Sequence, residues 1–559
     1  MNPEIKNCQN CKKDFTVTPD DLSFYQKMHV NVPPVCGDCG LQLLTSLRNE
    51  RTMYYRTCDR CGIKTMSMYH PNAPYIVYCH SCWWGDAWDG FEYAREYDPA
   101  KSLKEQVKEL QYTVPREAVI ILNSENSRYG NHIRDSKNCY FSFLIANSEN
   151  IQYSVWVVKT KDSIEGNKVL GSERTAHCVD VFNCYQCAYL QDCTDCSDCY
   201  FSYDLKNCNN CILSSNLRNV SYCVRNIQVT KEEYEAEYKK IFNGSYVAIQ
   251  SAYKEFVDVK TTAIHKFSLN INCNAVSGNY MKTSENCNYT FEGVDSKDVT
   301  YGFNILTLKD SYFAFAVGPQ PTELVFDAAV IKGGSTIKNS FNLFNSSFCN
   351  QCDSMLSSNN CIGCVGLKKK EYCILNKQYT KEEYQAIEKQ LMEKGELAGF
   401  LDPSFSCFSY NETSAQDIYP LTKEEAIARG YTWQDDHSMT TGKETLTPDQ
   451  IPDNIADVSE DITESILRCV HCNRNYKIVP EEFLFLKNFP LPLPRECPVC
   501  RIDSRRTMRL PFRLWQRACM CDLPNHQHEG KCPNEFETSY SPNRSEKVFC
   551  EKCYQAEVI

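Results

Sequence analysis

Residues 184–211 read CYQCAYLQDCTDCSDCYFSYDLKNCNNC, and their spacing decides the fold. Cys184, Cys196 and Cys208 stand twelve residues apart, as do Cys187, Cys199, Cys211 and Cys223. Upstream, Asn138-Cys139, Asn150-Ile151 and Asp162-Ser163 keep the same step. A later series runs through Asn274, Asn286, Asp298 and Asp310, and closes with Cys349 and Cys361 and with Cys352 and Cys364. A fixed short period marks stacked units, and alternating small and aromatic residues, as in Cys199-Tyr200-Phe201-Ser202-Tyr203, suit parallel strands rather than helices. The expectation is a duplicated parallel β-solenoid on 12-residue units, with the coil length, one unit or two, left open.

Both series end alike, in Cys223-Val224-Arg225-Asn226 and Cys373-Ile374-Leu375-Asn376, each followed by Thr-Lys-Glu-Glu-Tyr at 230–234 and 380–384. Thr230 with Glu233, and Thr380 with Glu383, form capping boxes that start helices. Such helices would cover the open strand edges. The ladder cysteines read as small buried thiols filling a narrow interior, because Ile151, Val220, Val299 and Ser311 stand at equivalent places. Occasional metal between neighbouring pairs is the other reading.

Outward from the centre, each end carries the same cysteine ruler. Cys8-x-x-Cys11 precedes Cys36-x-x-Cys39 by 24 residues, and Cys469-x-x-Cys472 precedes Cys497-x-x-Cys500 by the same 24. Both copies then wait 18 residues, for Cys58 or Cys519, and both close on a pair, Cys79-x-x-Cys82 or Cys550-x-x-Cys553. Paired C-x-x-C turns suit tetrahedral zinc. The sites expected are Cys8, Cys11, Cys36 and Cys39; Cys58, Cys61, Cys79 and Cys82; Cys469, Cys472, Cys497 and Cys500; and Cys519 or Cys521 with Cys532, Cys550 and Cys553, so about four zinc ions per chain. An interleaved pairing of the same knuckles is the alternative. His526 and His528 read as a solvated loop or as extra or outer ligands. A redox reading of the C-x-x-C pairs lacks the surrounding βαβ pattern, and an open catalytic zinc would keep only three protein ligands.

Trp83, Trp84 and Trp88 read as an apolar seal against the next domain, or else an interaction surface, and Pro99 to Leu110 as a short helix. Residues 434–467 are rich in Asp and Glu and read as a solvated acidic linker. In the last module Arg495, Arg501, Arg505, Arg506, Arg509, Arg513 and Arg517 face only Glu496 and Asp503. Arg505, Arg509 and Arg513 would share one helix face and could grip phosphates beside Trp515. A solvated face is the bland alternative.

The expected organisation is multidomain and mainly β: a two-site zinc module at 1–92, the first solenoid with its capping helix at 115–245, the second at 260–400, a connector and acidic linker at 401–467, and a second two-site zinc module at 468–559. The chain has 559 residues, 35 cysteines and net charge −11. That charge argues against a surface that coats nucleic acid. The start, Met1-Asn2-Pro3-Glu4-Ile5-Lys6-Asn7, has no signal-peptide core, and a run of about 18 apolar residues is absent, so a cytoplasmic zinc protein with no membrane contact is expected.

Asn7-Cys8-Gln9-Asn10-Cys11 with Pro34-Val35-Cys36-Gly37-Asp38-Cys39, and Cys497-Pro498-Val499-Cys500-Arg501, resemble the zinc-binding treble-clef domain of many bacterial proteins. With Phe536-Glu537-Thr538-Ser539-Tyr540-Ser541-Pro542 and Pro420-Leu421-Thr422-Lys423-Glu424-Glu425-Ala426, the whole chain resembles an uncharacterised bacterial cysteine-rich family: zinc-ribbon or treble-clef module, cysteine-rich repeats, zinc module. The resemblance implies zinc and architecture and brings no activity. Phosphate-binding glycine loops, zinc-protease helices and serine elbows are absent from the sequence, and His132, His177 and His265 are scattered singly. The function expected is a non-catalytic scaffold or adaptor for RNA, a ribonucleoprotein or a protein, with no small-molecule substrate. Metal or thiol handling by the cysteine ladder, and an enzyme of unknown class, are the alternatives.

Overall fold

The computed structural model describes residues 3–436, 440–524, 526 and 528–559. It is mainly β. A 15-stranded sheet runs from Ile121–Leu122 to Ile227–Gln228, and a 12-stranded sheet from Asn274–Lys282 to Lys377–Gln378. In the first sheet the pairing steps by twelve. Phe143 pairs with Val155 and Val155 with Asn167, while Glu149 pairs with Lys161 on a second ladder, all parallel. Twelve residues therefore carry two short strands, one for each ladder, and the ladders meet in the long strand Tyr185–Thr194. The second sheet keeps the step, as in Cys287 to Val299 to Ser311. It departs from the step at a one-residue irregularity between Val276 and Gly278 and by two residues around Gly318–Pro321, where Thr322 pairs with Leu308.

The backbone has a finer rhythm. From Asn123 to Arg225 every third residue has positive φ, between 44° and 60° at all of them except Gly171, at 64°. Asn and Asp, which tolerate this left-handed conformation, fill many of these places, while Ile, Val and Thr fill none in this series. From Tyr129 to Leu213 each left-handed residue precedes a buried, inward-facing one, so the wall turns inward every three residues. Outside, like stacks on like at the twelve-residue step. Asn126, Asn138 and Asn150 pass side-chain amide hydrogen bonds along to Asp162. His177, Tyr189 and Phe201 stack at 4.4 and 4.3 Å. Such stacking offsets the roughly 1–2 kcal/mol that a bulky left-handed residue costs.

Inside, the thiols of Cys187, Cys193, Cys196 and Cys199 each donate to the carbonyl two residues back, at 3.2–3.3 Å. The hydroxyls of Ser142, Ser148 and Ser154 make the same bond at 2.8–2.9 Å. Cys and Ser therefore exchange at these places through a shared donor role as well as through size. Each sheet ends in an antiparallel turn, Cys223 with Gln228 and Cys373 with Gln378. The helices Lys231–Ile241 and Lys381–Glu393 follow, both started by the expected capping boxes. A shorter helix, Leu103–Thr113, stands where Pro99 to Leu110 was expected, because the Ser102–Glu105 capping box sets its start.

The first half of each terminal module docks on the sheet that is remote from it in the chain. Helix Gly37–Thr45 lies on strands Lys297–Leu306, Leu308–Val317 and Thr322–Lys332 of the second sheet. Phe24 stacks on Tyr312 at 4.2 Å beside it. Helix Pro498–Thr507 lies instead on Asn167–Leu170 of the first sheet. The acidic stretch is not a solvated coil. Its carboxylates are largely exposed, but Ile451, Ile455, Val458 and Ile462 are buried in the core shared by helix Tyr246–Thr262 and the carboxy-terminal module. Alternation of charge with isoleucine folds this stretch into short 3-10 turns.

Candidate metal centres

Each cysteine ruler becomes two copies of one local device. The first cysteine pair lies at or just beyond the turn of a short hairpin, such as Glu4–Asn7 with Asp14–Val17 or Leu467–Arg468 with Asn475–Tyr476. The second pair starts a helix. Cys36, Cys79, Cys497 and Cys550 are each the residue before the first helical turn, and Cys39, Cys82, Cys500 and Cys553 lie within that turn. A helix amino terminus points unpaired N–H groups and a positive dipole at the sulfurs, which favours thiolate.

Four clusters result: Cys8, Cys11, Cys36 and Cys39; Cys58, Cys61, Cys79 and Cys82; Cys469, Cys472, Cys497 and Cys500; and Cys519, Cys532, Cys550 and Cys553. Within each, all four sulfurs lie within 4.8 Å of one another. The knuckles pair in sequence, not interleaved. In every cluster the backbone N–H of the third cysteine donates to the sulfur of the first, at 3.2–3.3 Å. Burial opposes ionisation of Cys58 and Cys469. Backbone N–H groups overcome it, holding the Cys58 thiol down at about 6 and that of Cys469 at about 7. These are donor sets that can hold a metal ion.

Cys519, not Cys521, completes the fourth cluster. Cys521 belongs to a fifth group with His526, His528 and Cys553. The C-x4-H-x-H spacing after Cys521 was the signal for it, and the carboxy-terminal insertion is therefore more than a solvated loop.

The ladder thiols form no further such group among the described residues. Burial pushes Cys178 and Cys139 up to about 12 and about 11, so these are neutral donors. At the end of the second sheet, hydrogen bonds with neighbouring thiols and then burial push Cys349 up, burial and then neighbouring thiols push Cys364 up, and thiol hydrogen bonds draw Cys361 down.

The arginines do not form an exposed stripe. The helix ends at Thr507, so Arg509, Arg513 and Arg517 lie beyond it. Arg501 pairs with Glu165 at 2.6 Å and Glu482 at 2.7 Å, and Arg505 pairs with Glu165 and donates to the Tyr153 carbonyl at 2.8 Å. Arg509 bridges Asp180, at 2.7 Å, and Glu292. All three side chains are turned inward, held by Glu165, Asp180 and Glu292 of the sheets and by Glu482 of helix Pro480–Asn488. Arg495 is tied to the carbonyls of Pro448 and Ile451, and Arg506 to Asp417. Arg513 sits over the Trp515 ring with Asp38 4.0 Å away, and Arg517 reaches the Ser541 carbonyl.

Trp83 and Trp88 are buried, 4.7 Å apart, in one core with Leu103, Val107 and Leu110, with Lys368 over both rings. Trp84 remains exposed, its indole N–H donating to Glu117. The single histidines are internal. His265 contacts Tyr203 and Tyr540, and His177 pairs with Glu165 at 3.1 Å. His177, Glu165, Tyr253, Arg501 and Arg505 line a cavity of about 180 Å³ between the first sheet and the carboxy-terminal module.

No family model matches the chain, and no curated protein matches it. Among solved structures, a chain from Desulfovibrio desulfuricans G20 proposed as an acetyltransferase is similar at 10% identity. The likeness covers 50% of this chain and 82% of that one with a TM-score of 0.10, and it carries no argument. No helix among the described residues is long and apolar enough to cross a membrane.

Proposed function

We propose that this protein is a non-catalytic, zinc-stabilised scaffold of the cytoplasm. In this reading its terminal modules are treble-clef or zinc-ribbon units, each clamped by structural zinc, and its centre is a pair of β-solenoids with a coil of twelve residues. The observation that carries it is the four all-cysteine clusters, since four thiolates complete a tetrahedral zinc and leave no position for water or substrate. The helices that carry the clusters dock on long parallel sheets through buried contacts, which supports a scaffold that presents a surface.

The partner favoured is a protein. Arg501, Arg505 and Arg509 are engaged by internal carboxylates, which removes the main argument for phosphate recognition. The test is to isolate the native chain without chelator, measure its metals, and compare what accompanies it before and after nuclease treatment. The expected result is zinc at four or more per chain, from the four clusters, with protein partners that survive nuclease. Partners lost with the RNA would overturn the protein reading, and zinc-free, folded protein would overturn the scaffold.

A further inference from the structure

The carboxy-terminal module departs from its counterpart at one place. Between Cys58 and Cys61 stand two residues, whereas between Cys519 and Cys532 the chain inserts Cys521, His526 and His528. The inserted side chains converge on Cys553, itself a member of the fourth cysteine cluster, and the four donor atoms lie within 4.8 Å of one another.

Their hydrogen bonds fix which ring nitrogens face inward. His526 Nε2–H donates to Glu557 Oε1 at 2.8 Å, leaving Nδ1 bare and 3.2 Å from the Cys521 sulfur. His528 Nδ1–H donates to the Gly530 carbonyl at 2.8 Å, leaving Nε2 bare and 3.4 Å from the Cys553 sulfur. Metal-bound histidine almost always has its other nitrogen held in this way, by a carboxylate or a backbone carbonyl. Two imidazoles independently adopt it here, one with its bare nitrogen beside the Cys521 sulfur and the other beside the Cys553 sulfur.

We infer that this module holds a two-metal centre: a second zinc ion bound by Cys521, His526, His528 and Cys553, with the Cys553 thiolate bridging it to the ion of the all-cysteine site. Two sulfurs and two imidazole nitrogens are a borderline-soft tetrahedral set that suits zinc. Charge favours it as well. One dication on the four thiolates leaves two negative charges in a pocket where all five cysteines are buried. A second dication with one more thiolate and two neutral rings leaves one, which lowers the cost of burying the cluster. The amino-terminal module, with no inserted histidine, keeps two separate ions.

The inference rests on zinc filling the four cysteine clusters, and the experiment separates the two ideas. The full chain, purified with zinc and no chelator, is weighed by native mass spectrometry and assayed for metal, beside His526→Ala/His528→Ala and Glu557→Gln. The parent is expected to carry five zinc ions and the double variant four, with its fold retained. Glu557→Gln should release one ion to a competing chelator 10- to 100-fold more readily, the usual effect of losing such a support. Four ions in both parent and double variant overturn the bridged centre while leaving the scaffold intact. Five in both overturn the ligand assignment, and fewer than four in the parent overturn the zinc reading beneath it. If the double variant fails to fold, Glu557→Gln decides: unchanged release of every ion overturns the inference.

Discussion

Gly40, Leu44 and Arg48 near the amino terminus and Arg501, Arg505 and Arg509 near the carboxy terminus occupy matching places after their modules' third cysteines, Cys36 and Cys497. Both sets face a sheet, with opposite chemistry. On the amino-terminal side contact is steric and apolar. A Cβ at Gly40 would come within 2.3 Å of the Phe313 ring, and Leu44 is fully buried. On the carboxy-terminal side the same face is ionic, built on Glu165, Glu482, Asp180 and Glu292. Even so, the last residue of each set reaches both sheets: Arg48 approaches His132 and the Phe315 ring, and Arg509 reaches Asp180 and Glu292. One docking position thus accepts either packing or paired charge. Ionic docking adds selectivity, because an arginine face set on the wrong sheet would bury unpaired charge.

The largest effect tests what the modules share. Cys36→Ser and Cys497→Ser should each lose one metal ion and unfold the module concerned, a loss on the order of 10 kcal/mol. Metal analysis and limited proteolysis read it, and a module that stays protected without its ion would end the equivalence.

The next change breaks the symmetry. Glu165→Leu takes away the carboxylate shared by Arg501, Arg505 and His177 and should cost roughly 3–5 kcal/mol in urea unfolding, whereas Arg505→Ala leaves Arg501 and His177 on Glu165 and should cost about 1.5–3 kcal/mol. If the two changes cost the same, the shared carboxylate is not what holds the face.

The two faces also differ in pH response. Burial opposes ionisation of Glu165, yet His177, Arg501 and Arg505 hold it well below the usual carboxylate range. Asp327, on the second sheet beneath the Leu401 backbone, is pushed up to about 8 by burial. The stabilisation from Glu165 is present above the ordinary carboxylate pKa near 4 and disappears as pH falls through its depressed value. That from Asp327 is complete at low pH and disappears as pH rises from about 4 towards 8. Glu165→Gln should flatten the acid limb of the stability curve and Asp327→Asn the alkaline limb, with slopes of up to about 1.4 kcal/mol per pH unit. Urea titrations from well below the ordinary carboxylate pKa up to about pH 8 check both, and an unchanged alkaline limb in Asp327→Asn would show that the acid is solvated.

Gly40→Val should cost about 1–3 kcal/mol by overpacking against Phe313, and Gly40→Ala less. Thermal unfolding of the two variants gives the order, and equal loss would mean that the ring gives way.

The smallest effect separates ladder from ligand. Cys199→Ser keeps the donor to the Ser197 carbonyl and should change stability by about 1 kcal/mol or less, with metal content unchanged. A lost ion would make the ladder a metal site.

The cysteine clusters were legible because a ruler of paired cysteines specifies its geometry locally: the knuckle, the helix start and the sulfur positions all follow within a few residues. The twelve-residue step was legible for a related reason, since Cys and Asn mark it. The three-residue step was not. Asn, Tyr, Lys, Phe and Leu all occupy the left-handed places, so the regularity is one of backbone, carried by no single side chain. The arginines misled because periodicity along a helix says nothing of what faces it. The carboxylate that claims Arg505 lies 340 residues away in the chain.

The twelve-residue register also governs how such a wall can lengthen. An in-frame duplication of twelve codons anywhere between Phe143 and Leu170 returns each residue to the rung it would have held. Inward hydroxyls stay inward, outward amides stay outward, and no neighbour has to change. Insertions of other lengths survive only where they can leave the wall and rejoin it, as the two extra residues around Gly318–Pro321 do. Length in this molecule is adjustable by copying, in fixed increments.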